Sequence, residues 1–486
     1  MNSRELLGNI PYKLISGELP EKIEHITMDS RDAVPGSLFV CIEGYTVDGH
    51  DYADQATKCG ATLILSEKPI AIDGPAVLIV DDTVRALGQL AAKFYDYPSK
   101  AIEMIGVTGT NGKTSVAGML HAMLMKLGEK SALTGTIGFD LNGEMHPSAN
   151  TTSDALTTQK MIAQAKDAGC SHMTMEVSSH GLVLGRLAGV EFNTAIFTNL
   201  THDHLDFHGT MEEYGHAKGL LFSQLGQDLS EKKRAVLNAD DPWSDQFAKM
   251  TSHPIYTYGI EKDARFKADD ISMDQSGTTF LLNCPEGEYE VSMKLLGRFN
   301  VSNALAAITA LYAEGYALAD ILSALAAIDP VEGRMQKVEI DAPVTVFIDY
   351  AHTPDAIEKA LAAVSGFESN KTIFLVGTGG NRDKSKRPDM AKKASAAGYV
   401  VLTTDDPRDE PYDSILKDLE VGMTHSNYAC IGDREEAVRH AIQQSEPGDI
   451  IILAGKGHED YQIIGSVKYP HSDKEIALQE ALKKYS

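Results

Sequence analysis

Cysteine is scarce in this chain, with five residues among 486. They are scattered and show neither paired spacing nor a metal-ligand pattern. This distribution argues against a disulfide framework and against a thiolate metal cluster, and it is typical of a protein with reduced thiols in the cytosol. The five are Cys41, Cys59, Cys170, Cys284 and Cys430.

Long apolar runs are also missing from the sequence. None approaches the roughly 18 residues that a membrane-spanning helix needs, and Met1–Gly8 contains no apolar signal core. We therefore expect a soluble cytoplasmic protein with no membrane insertion.

Basic residues are outnumbered, with 44 Lys and Arg against 69 Asp and Glu, which gives a net charge of −25. Such a balance argues against a nucleic-acid partner. An anionic substrate would need a site that is locally basic or built from backbone amides and metal. Hydrophobic residues make up 43% of the chain, enough for several cores, and the length predicts roughly two to four domains.

The most informative segment is Gly106–Ser115, which reads Gly-Val-Thr-Gly-Thr-Asn-Gly-Lys-Thr-Ser. An apolar run that suits a buried strand precedes it, and apolar residues at helical spacing follow it. A glycine-rich turn between strand and helix is the context of a phosphate-binding loop. Lys113 would reach the β- and γ-phosphates of ATP, and Thr114 would ligate Mg²⁺. Val107 stands where the common P-loop pattern has glycine, so this loop is a variant.

The remaining pattern predicts an α/β protein of three segments. Residues 1–100 contain short strands and turns. Residues 101–330 alternate strand and helix signals, which indicates a mostly parallel sheet with helices on both faces. Residues 331–486 repeat that alternation, with polar clusters after each apolar strand. Because ligands gather at the carboxyl ends of parallel strands, we expect one active face in each of the last two segments, facing each other across a cleft.

Several polar residues follow the predicted strands of the central segment. Glu176 closes one strand, and a carboxylate near a P-loop threonine is a common way to hold Mg²⁺ on a nucleotide. The stretch Thr201–His208 contains three His and two Asp, which suggests either a zinc hydrolase site or a single ligand, His204, for a second cation. Lys218, taken alone, is typical of a solvated surface charge. Spacing alone leaves open whether Arg334 reaches the γ-phosphate and whether Asp349 binds ribose.

Together these blocks resemble the Mur ligases, the ATP-dependent amino-acid ligases of peptidoglycan synthesis. The resemblance runs along the whole chain in the family's order, and the family form of the P-loop accounts for Val107. It is strongest to the members that add the third peptide residue. Its other blocks are Asp29-Ser30-Arg31, Asn150–Thr152, Glu176–Gly181, Thr198–Asp206, Gly297–Asn303, Gly380–Lys384 and Gly455–Glu459.

The resemblance implies a three-domain Mur ligase architecture. An N-terminal domain at 1–100 would bind the UDP-sugar, a central P-loop domain with a parallel sheet at 101–330 would bind ATP, and a C-terminal Rossmann-like domain at 331–486 would bind the amino acid. The implied reaction is the ligation of a diamino acid to UDP-N-acetylmuramoyl-L-alanyl-D-glutamate through an acyl phosphate, with Mg²⁺ as cofactor, by a monomer.

The resemblance also implies roles for individual residues. The implied catalytic residues are Lys113, Lys218 and His204. The implied ATP-binding residues are Gly109, Thr110, Asn111, Gly112, Lys113, Thr114, Ser115, Asn300, Asn303, Arg334 and Asp349. The implied UDP-sugar-dipeptide residues are Ser30, Thr151, Thr152, Ser178 and Arg186. The implied amino-acid residues are Arg382, Asp405, Asp406, Pro407, Arg408, Gly455 and Glu459. The implied metal ligands are Thr114, Glu176, His204 and Lys218, the last as a carbamate.

Two diamino acids fit the implied acceptor site. Members that add meso-diaminopimelate usually carry Asp-Asn-Pro-Arg, whose arginine forks onto the second carboxylate. This chain has Asp405-Asp406-Pro407-Arg408. Arg408 favours diaminopimelate, while the extra negative charge of Asp406 would suit the ammonium of L-lysine.

Three other functions remain as alternatives. A folylpolyglutamate synthetase would share scaffold and chemistry, but the Asp29-Ser30-Arg31 segment favours a UDP-sugar. A metallohydrolase would depend on the histidine cluster. A P-loop regulator would bind ATP without making an amide.

Overall fold

In this computed structural model the chain forms three α/β domains in sequence. The structure describes residues 1–44, 47–148, 150–274, 277–329 and 332–485. Pro330 and Val331, where the sequence places the boundary between the second and third domains, lie outside the described residues, as does Ser486. The domain limits stay predictions.

The N-terminal domain has one five-stranded sheet in the order β1-β5-β4-β3-β2, in which only β1 runs antiparallel to its neighbour. Its strands are β1 Lys13–Ser16, β2 His25–Thr27, β3 Ser37–Val40, β4 Ala61–Ser66 and β5 Ala76–Ile79. Its helices are α1 Ser3–Leu7, α2 Ala53–Lys58 and α3 Thr83–Phe94. The inner strands β3 to β5 are almost fully buried, as continuous apolar runs predict.

The central domain has eleven strands in the order β16-β15-β14-β13-β12-β11-β6-β10-β7-β8-β9. The seven strands from β14 to β7 are parallel, and antiparallel strands extend both edges. The strands are β6 Glu103–Thr108, β7 Ser131–Thr134, β8 Phe139–Leu141, β9 Glu144–His146, β10 His172–Glu176, β11 Thr194–Phe197, β12 Arg234–Asn238, β13 Ile255–Gly259, β14 Phe266–Asp274, β15 Gly277–Cys284 and β16 Gly287–Met293.

Helices cover both faces of this sheet, as the alternating pattern predicts. One core lies between the sheet and α4, α10 and α11, and the other between the sheet and α5, α6, α8 and α9. The central helices are α4 Lys113–Lys126, α5 Ala155–Asp167, α6 Ser179–Val183, α7 Leu205–His208, α8 Met211–Ser223, α9 Ser244–Ala248, α10 Arg298–Glu314 and α11 Leu318–Ala327.

The C-terminal domain has six strands in the order β17-β18-β22-β19-β20-β21, parallel except for β17, and a separate hairpin β23–β24. The strands are β17 Gln336–Lys337, β18 Thr345–Asp349, β19 Thr372–Thr378, β20 Tyr399–Thr404, β21 Tyr428–Cys430, β22 Ile450–Ala454, β23 Tyr461–Ile464 and β24 Val467–Pro470. Helices again cover both faces. They are α12 Pro354–Val364, α13 Arg387–Ala394, α14 Tyr412–Glu420, α15 Arg434–Gln443 and α16 Asp473–Tyr485.

This topology gathers the chemistry-bearing loops at the carboxyl ends of parallel strands. β6 lies between β10 and β11, so the P-loop lies between the loop after Glu176 and the loop after Phe197. In the third domain Asp349, Thr404 and Ala454 end β18, β20 and β22. Among the described residues, no helix has both the length and the apolar character to cross a bilayer.

Candidate active site

The glycine-rich loop between β6 and α4 is closely packed against neighbouring segments. Gly109 and Gly112 have φ values of 151° and 88°. A Cβ atom at Gly109 would lie 1.9 Å from Thr198 Oγ1, and one at Gly112 would lie 2.6 Å from Asn303 Oδ1. Only glycine fits both the backbone conformation and the space. The closely packed loop therefore runs directly into the N-terminus of α4. There the backbone N–H groups and the helix dipole favour the binding of an anion.

Hydrogen bonds from the next strand end fix the loop further. The Thr110 N–H donates to the Asn199 carbonyl at 2.8 Å, and the Asn111 N–H donates to Asn199 Oδ1 at 3.0 Å. The Asn111 side-chain amide donates to Asp355 Oδ2 of the third domain at 2.8 Å. Ser115 is buried in the first turn of α4. These hydrogen bonds fix the loop at Thr110 and Asn111.

Lys113 points back over this loop. Its Nζ donates to the carbonyls of Gly109 and Thr110, each at 2.9 Å. Burial lowers the pKa of Lys113, with the charge of Glu176 acting in the opposite direction. A phosphate would offer this ammonium a charged acceptor, which binds more strongly than a carbonyl.

Glu176 and Thr114 form the candidate metal site. Thr114 Oγ1 donates to Glu176 Oε2 at 2.8 Å, and the other carboxylate oxygen accepts the Thr136 N–H at 2.8 Å. Glu176 is 2% exposed. Arg334 of the third domain donates from Nη2 to the same Thr114 oxygen at 3.0 Å. A buried carboxylate beside a hydroxyl is a donor set that suits Mg²⁺, and it lies next to the phosphate loop.

Lys218 lies on α8 and is 1% exposed, so the prediction of a solvated surface charge from the residues alone is wrong. Its Nζ donates to the Gly109 carbonyl at 2.7 Å and lies 4.4 Å from the centroid of the Tyr214 ring. Within the described part of the chain, no carboxylate lies within ion-pair distance of it. Burial lowers the pKa of Lys218 well below its usual value, and the charge of Lys113 lowers it further.

His204 lies close enough to these lysines for their charges to interact. It has a φ of 55° and begins the turn into α7. Although 47% of the side chain is exposed, desolvation lowers its pKa to about 3; Asp203 opposes this shift, and Lys113 adds to it. The neutral imidazole is the form that can ligate a metal.

The histidine cluster does not assemble a zinc trio. Rings of His180, His204, Phe207 and His208 pack against one another instead. The one group of three potential ligands that converges within the described ranges lies elsewhere, at Asp405, Asp406 and Glu459. The interpretation of a dinuclear metallohydrolase therefore has no geometric support.

Four of the five residues implied for the UDP-sugar-dipeptide meet beside Glu176. Thr152 Oγ1 donates to the Glu176 carbonyl and accepts the Ser178 N–H, both at 3.0 Å. Arg186 donates to the Thr152 carbonyl at 2.9 Å, and Thr151 Oγ1 lies 3.1 Å from Thr136 Oγ1. Ser30 lies in the N-terminal domain, in a 3-10 helix at Ser30–Asp32, and no hydrogen bond among the described residues joins it to this group.

The residues implied for the nucleoside lie on both sides of the domain junction. Asn303 contacts the P-loop at Gly112, whereas Asn300 donates to the Leu296 carbonyl at 2.8 Å and accepts from Asn303 at 3.2 Å. Asp349 accepts the N–H groups of Met335 and Ala351 at 2.7 and 2.8 Å. Burial raises the pKa of Asp349, and the charge of Arg334 opposes this. The Arg334 guanidinium lies 4.5 Å from the centroid of the Tyr350 ring.

The implied amino-acid site has a buried cation at its centre. Lys456 Nζ lies 3.0 Å from Asp405, 2.5 Å from Asp406 and 2.9 Å from Glu459. Burial alone would lower the pKa of Lys456, but the three carboxylates outweigh it and raise that pKa. This ammonium neutralises part of the acidic group, and the group is then no candidate for an additional metal. Sequence reasoning missed Lys456, although it stands inside the Gly455–Glu459 block.

The rest of that site surrounds this cluster. Arg408 has a φ of 50°, and its guanidinium donates to the Gly380 carbonyl at 3.2 Å and to Asp406 Oδ2 at 3.4 Å. Pro407 packs on Gly380, where a Cβ atom would lie 1.9 Å from the Pro407 oxygen. The Gly455 N–H donates to the Asp349 carbonyl at 3.0 Å, which links the acceptor site to the nucleoside site. Arg382 is exposed beside Gly379.

Each of the three domains matches a known protein family. Residues 107–311 match the Mur ligase middle domain, residues 333–457 match the Mur ligase glutamate ligase domain, and residues 22–95 match the Mur ligase family catalytic domain. The chain belongs to the Mur ligase family. It is an ATP-dependent ligase, and the expected fold class, three domains with a central P-loop sheet, is confirmed.

Similar proteins cover the whole chain. The UDP-N-acetylmuramyl-tripeptide synthetase 2 of Oceanobacillus iheyensis is 47% identical over 99% of this chain and 98% of its own. The UDP-N-acetylmuramoyl-L-alanyl-D-glutamate--L-lysine ligase of Staphylococcus haemolyticus is 46% identical over 100% and 99%. A solved UDP-N-acetylmuramoyl-L-alanyl-D-glutamate--2,6-diaminopimelate ligase has a TM-score of 0.70 at 30% identity, over 100% and 99%.

Proposed function

We propose that this Mur ligase joins a diamino acid to the D-glutamate carboxyl of UDP-N-acetylmuramoyl-L-alanyl-D-glutamate and converts ATP to ADP and phosphate. The observation that carries the proposal is the convergence at Thr114. One hydroxyl is bonded to Glu176 of the central domain at 2.8 Å and to Arg334 of the third domain at 3.0 Å. The candidate sugar-dipeptide group lies directly beside Glu176.

The first step would activate the carboxyl group. One oxygen of the D-glutamate carboxylate attacks the γ-phosphorus of ATP, ADP leaves, and an acyl phosphate forms. Lys113 and Arg334 would donate to the phosphoryl oxygens, where negative charge has to be stabilised in the transition state. The helix N-terminus at Thr114 adds a fixed positive dipole.

The oxygen and nitrogen donors of this site fit Mg²⁺. Thr114, Glu176, His204 and the carbamate form of Lys218 would hold it, and bound Mg²⁺ neutralises phosphate charge. The fit of the carbamate follows from Lys218 itself. The lowered pKa of this buried amine favours the neutral form, which is the form that reacts with CO₂, and the carbamate would supply an anionic oxygen ligand.

The second step would form the amide. The amine of the diamino acid attacks the acyl carbon, and phosphate leaves. The third domain would deliver that amine while shielding the acyl phosphate from water. Its contacts to Asn111 and Thr114 support this role, because they join the acceptor domain to the phosphate loop.

For the acceptor we propose meso-diaminopimelate first, because Arg408 offers a guanidinium for a second carboxylate. L-lysine is the second candidate, for two reasons. Asp406 holds the Arg408 guanidinium at 3.4 Å, so part of its charge is already paired. Relatives at 46% identity also carry the L-lysine ligase name.

Location and assembly belong to the same proposal. ATP and UDP-linked precursors are cytoplasmic substrates, so we place the reaction in the cytoplasm. We also propose that the protein is a monomer. Light scattering of the purified protein would test this, and a stable dimer would contradict it.

The deciding experiment supplies the purified protein with ATP, Mg²⁺ and UDP-N-acetylmuramoyl-L-alanyl-D-glutamate, and compares the two diamino acids. We expect a UDP-linked tripeptide and ADP in equal amounts, and neither from Lys113→Ala. ATP hydrolysis at full rate without dipeptide or amino acid would contradict the proposal.

A further inference from the structure

Lys386 makes a contact across two domains that no role assigned above requires. It belongs to the C-terminal domain, and its Nζ lies 3.5 Å from Asp203 Oδ1 of the central domain. Both side chains are largely buried, 12% exposed for Lys386 and 8% for Asp203. The two groups therefore form an ion pair in the docked arrangement of the domains.

The position of Lys386 disfavours a purely local role. It is the residue before α13, and its side chain makes no capping hydrogen bond. The N-terminus of a helix is the positive end of its dipole, so a cation there is unfavourable by a few tenths of a kcal/mol to about 1 kcal/mol. Asp383 of the same loop interacts with this charge, but the ion-pair contact is to Asp203 of the other domain.

The segment that ends at Lys386 is fixed to the acceptor site. The Gly380 N–H donates to the Asp406 carbonyl at 2.8 Å. The next residue, Arg387, is fully buried; it donates to the Gly379 carbonyl at 3.0 Å and to both oxygens of Glu410 at 2.8 Å. Hydrogen bonds therefore join residues 379–387 to the loop at 405–410, and we expect the two to move together. A shift of Lys386 shifts the acceptor loops with it.

The other member of the ion pair, Asp203, lies beside residues of the phosphate site. It directly precedes His204, whose N–H donates to Asp203 Oδ1 at 3.0 Å. Its negative charge acts on Lys113 and Lys218. An unpaired carboxylate here would repel ATP phosphates. Lys386 can neutralise this charge only when the third domain is docked.

We propose that Lys386 is a positioning residue, which docks the acceptor-binding loops onto the phosphate site through its ion pair with Asp203. This inference rests on the proposed ligase function. It predicts that loss of the charge lets water reach the acyl phosphate and misplaces the amine, while ATP and the sugar nucleotide still bind.

The test compares Lys386→Met with Lys386→Arg and with Lys392→Met, a control at an exposed position on α13. For Lys386→Met we expect kcat/KM for the diamino acid to fall at least about tenfold, because a desolvated charge pair is lost. KM for ATP and for the dipeptide should change less than about twofold. More ADP should form per tripeptide. Lys386→Arg should keep most of the activity, and Lys392→Met all of it.

A second readout does not depend on catalysis. Small-angle X-ray scattering should give a larger radius of gyration for Lys386→Met than for the unmodified protein. As a control for folding, both proteins should unfold thermally at the same temperature. If the unmodified protein makes no tripeptide, the proposed function fails, and the scattering still decides the docking role. The inference would be overturned if Lys386→Met matched Lys392→Met in ADP formed per tripeptide and in radius of gyration. An equal loss of kcat/KM for all three substrates would also overturn it.

Discussion

Replacing Lys218 with methionine should make the protein more stable and nearly inactive. The side chain is 1% exposed, and its ammonium has one hydrogen bond, to the Gly109 carbonyl, and one ring contact, to Tyr214. A buried charge without a charged partner costs several kcal/mol. The hydrogen bond and the ring contact return about 2–4 kcal/mol. Methionine keeps the apolar packing, so we expect a gain of about 1–3 kcal/mol in the free energy of unfolding at pH 7.

The gain should depend on pH with a definite sign. The pKa of Lys218 is lowered in the folded protein, so the unfolded chain binds the extra proton, with a pKa of about 10.4. The unmodified protein therefore gains stability as pH rises from the folded pKa toward about 10, and the advantage of the variant shrinks over that range. Below the folded pKa the advantage is full.

The assay is urea unfolding in CO₂-free buffer, followed by the fluorescence of Trp243. It is the one tryptophan in the chain, and its ring packs on Gly215 in the same helix as Lys218. Lys249→Met, at an exposed position, is the control and should change stability by less than about 0.5 kcal/mol. Tripeptide formation by Lys218→Met should fall at least about a hundredfold. A variant that is less stable at every pH, or fully active, would refute the reasoning.

Three further changes probe other parts of the site. Glu176→Gln should lower kcat about 100-fold and raise the Mg²⁺ concentration needed for half-maximal rate, because a charged ligand becomes neutral; a Mg²⁺ titration checks it, and an unchanged midpoint would count against the metal site. Arg408→Ala should lower kcat/KM for diaminopimelate by the equivalent of about 1–3 kcal/mol and leave kcat/KM for L-lysine unchanged. Equal effects on both would show that Arg408 does not determine acceptor choice. Lys456→Met should destabilise the third domain by about 3–5 kcal/mol, since three carboxylates lose their buried cation; calorimetry that finds no loss would contradict the charge balance described here.

The sequence predicted the parts that depend on local pattern. The P-loop, the strand that ends in Glu176 and the apolar strands of both sheets follow from glycine spacing and from runs of buried residues. The parallel core of the central domain is confirmed. The sequence did not predict the β14–β16 extension, because its strands alternate exposed and buried residues and have no motif.

Contacts between distant segments were beyond prediction. Lys456 is separated from Asp405 by 51 positions, and Lys386 from Asp203 by 183, so no spacing rule links them. Lys218 was misjudged from its own helix because Gly109 and Tyr214 bury it. The structure brings most of the expected site residues together around Thr114 and Lys456. The side-chain amide of Asn300 instead donates to the Leu296 carbonyl. The roles of all these residues stay predictions.

In the proposed reaction a carboxyl oxygen of the dipeptide attacks the γ-phosphorus of ATP bound at Gly109–Ser115. The most direct measurement uses UDP-N-acetylmuramoyl-L-alanyl-D-glutamate with ¹⁸O in the D-glutamate side-chain carboxylate, and mass spectrometry of the released phosphate. We expect one ¹⁸O atom in each phosphate formed with tripeptide. Phosphate without ¹⁸O, alongside normal tripeptide formation, would contradict it.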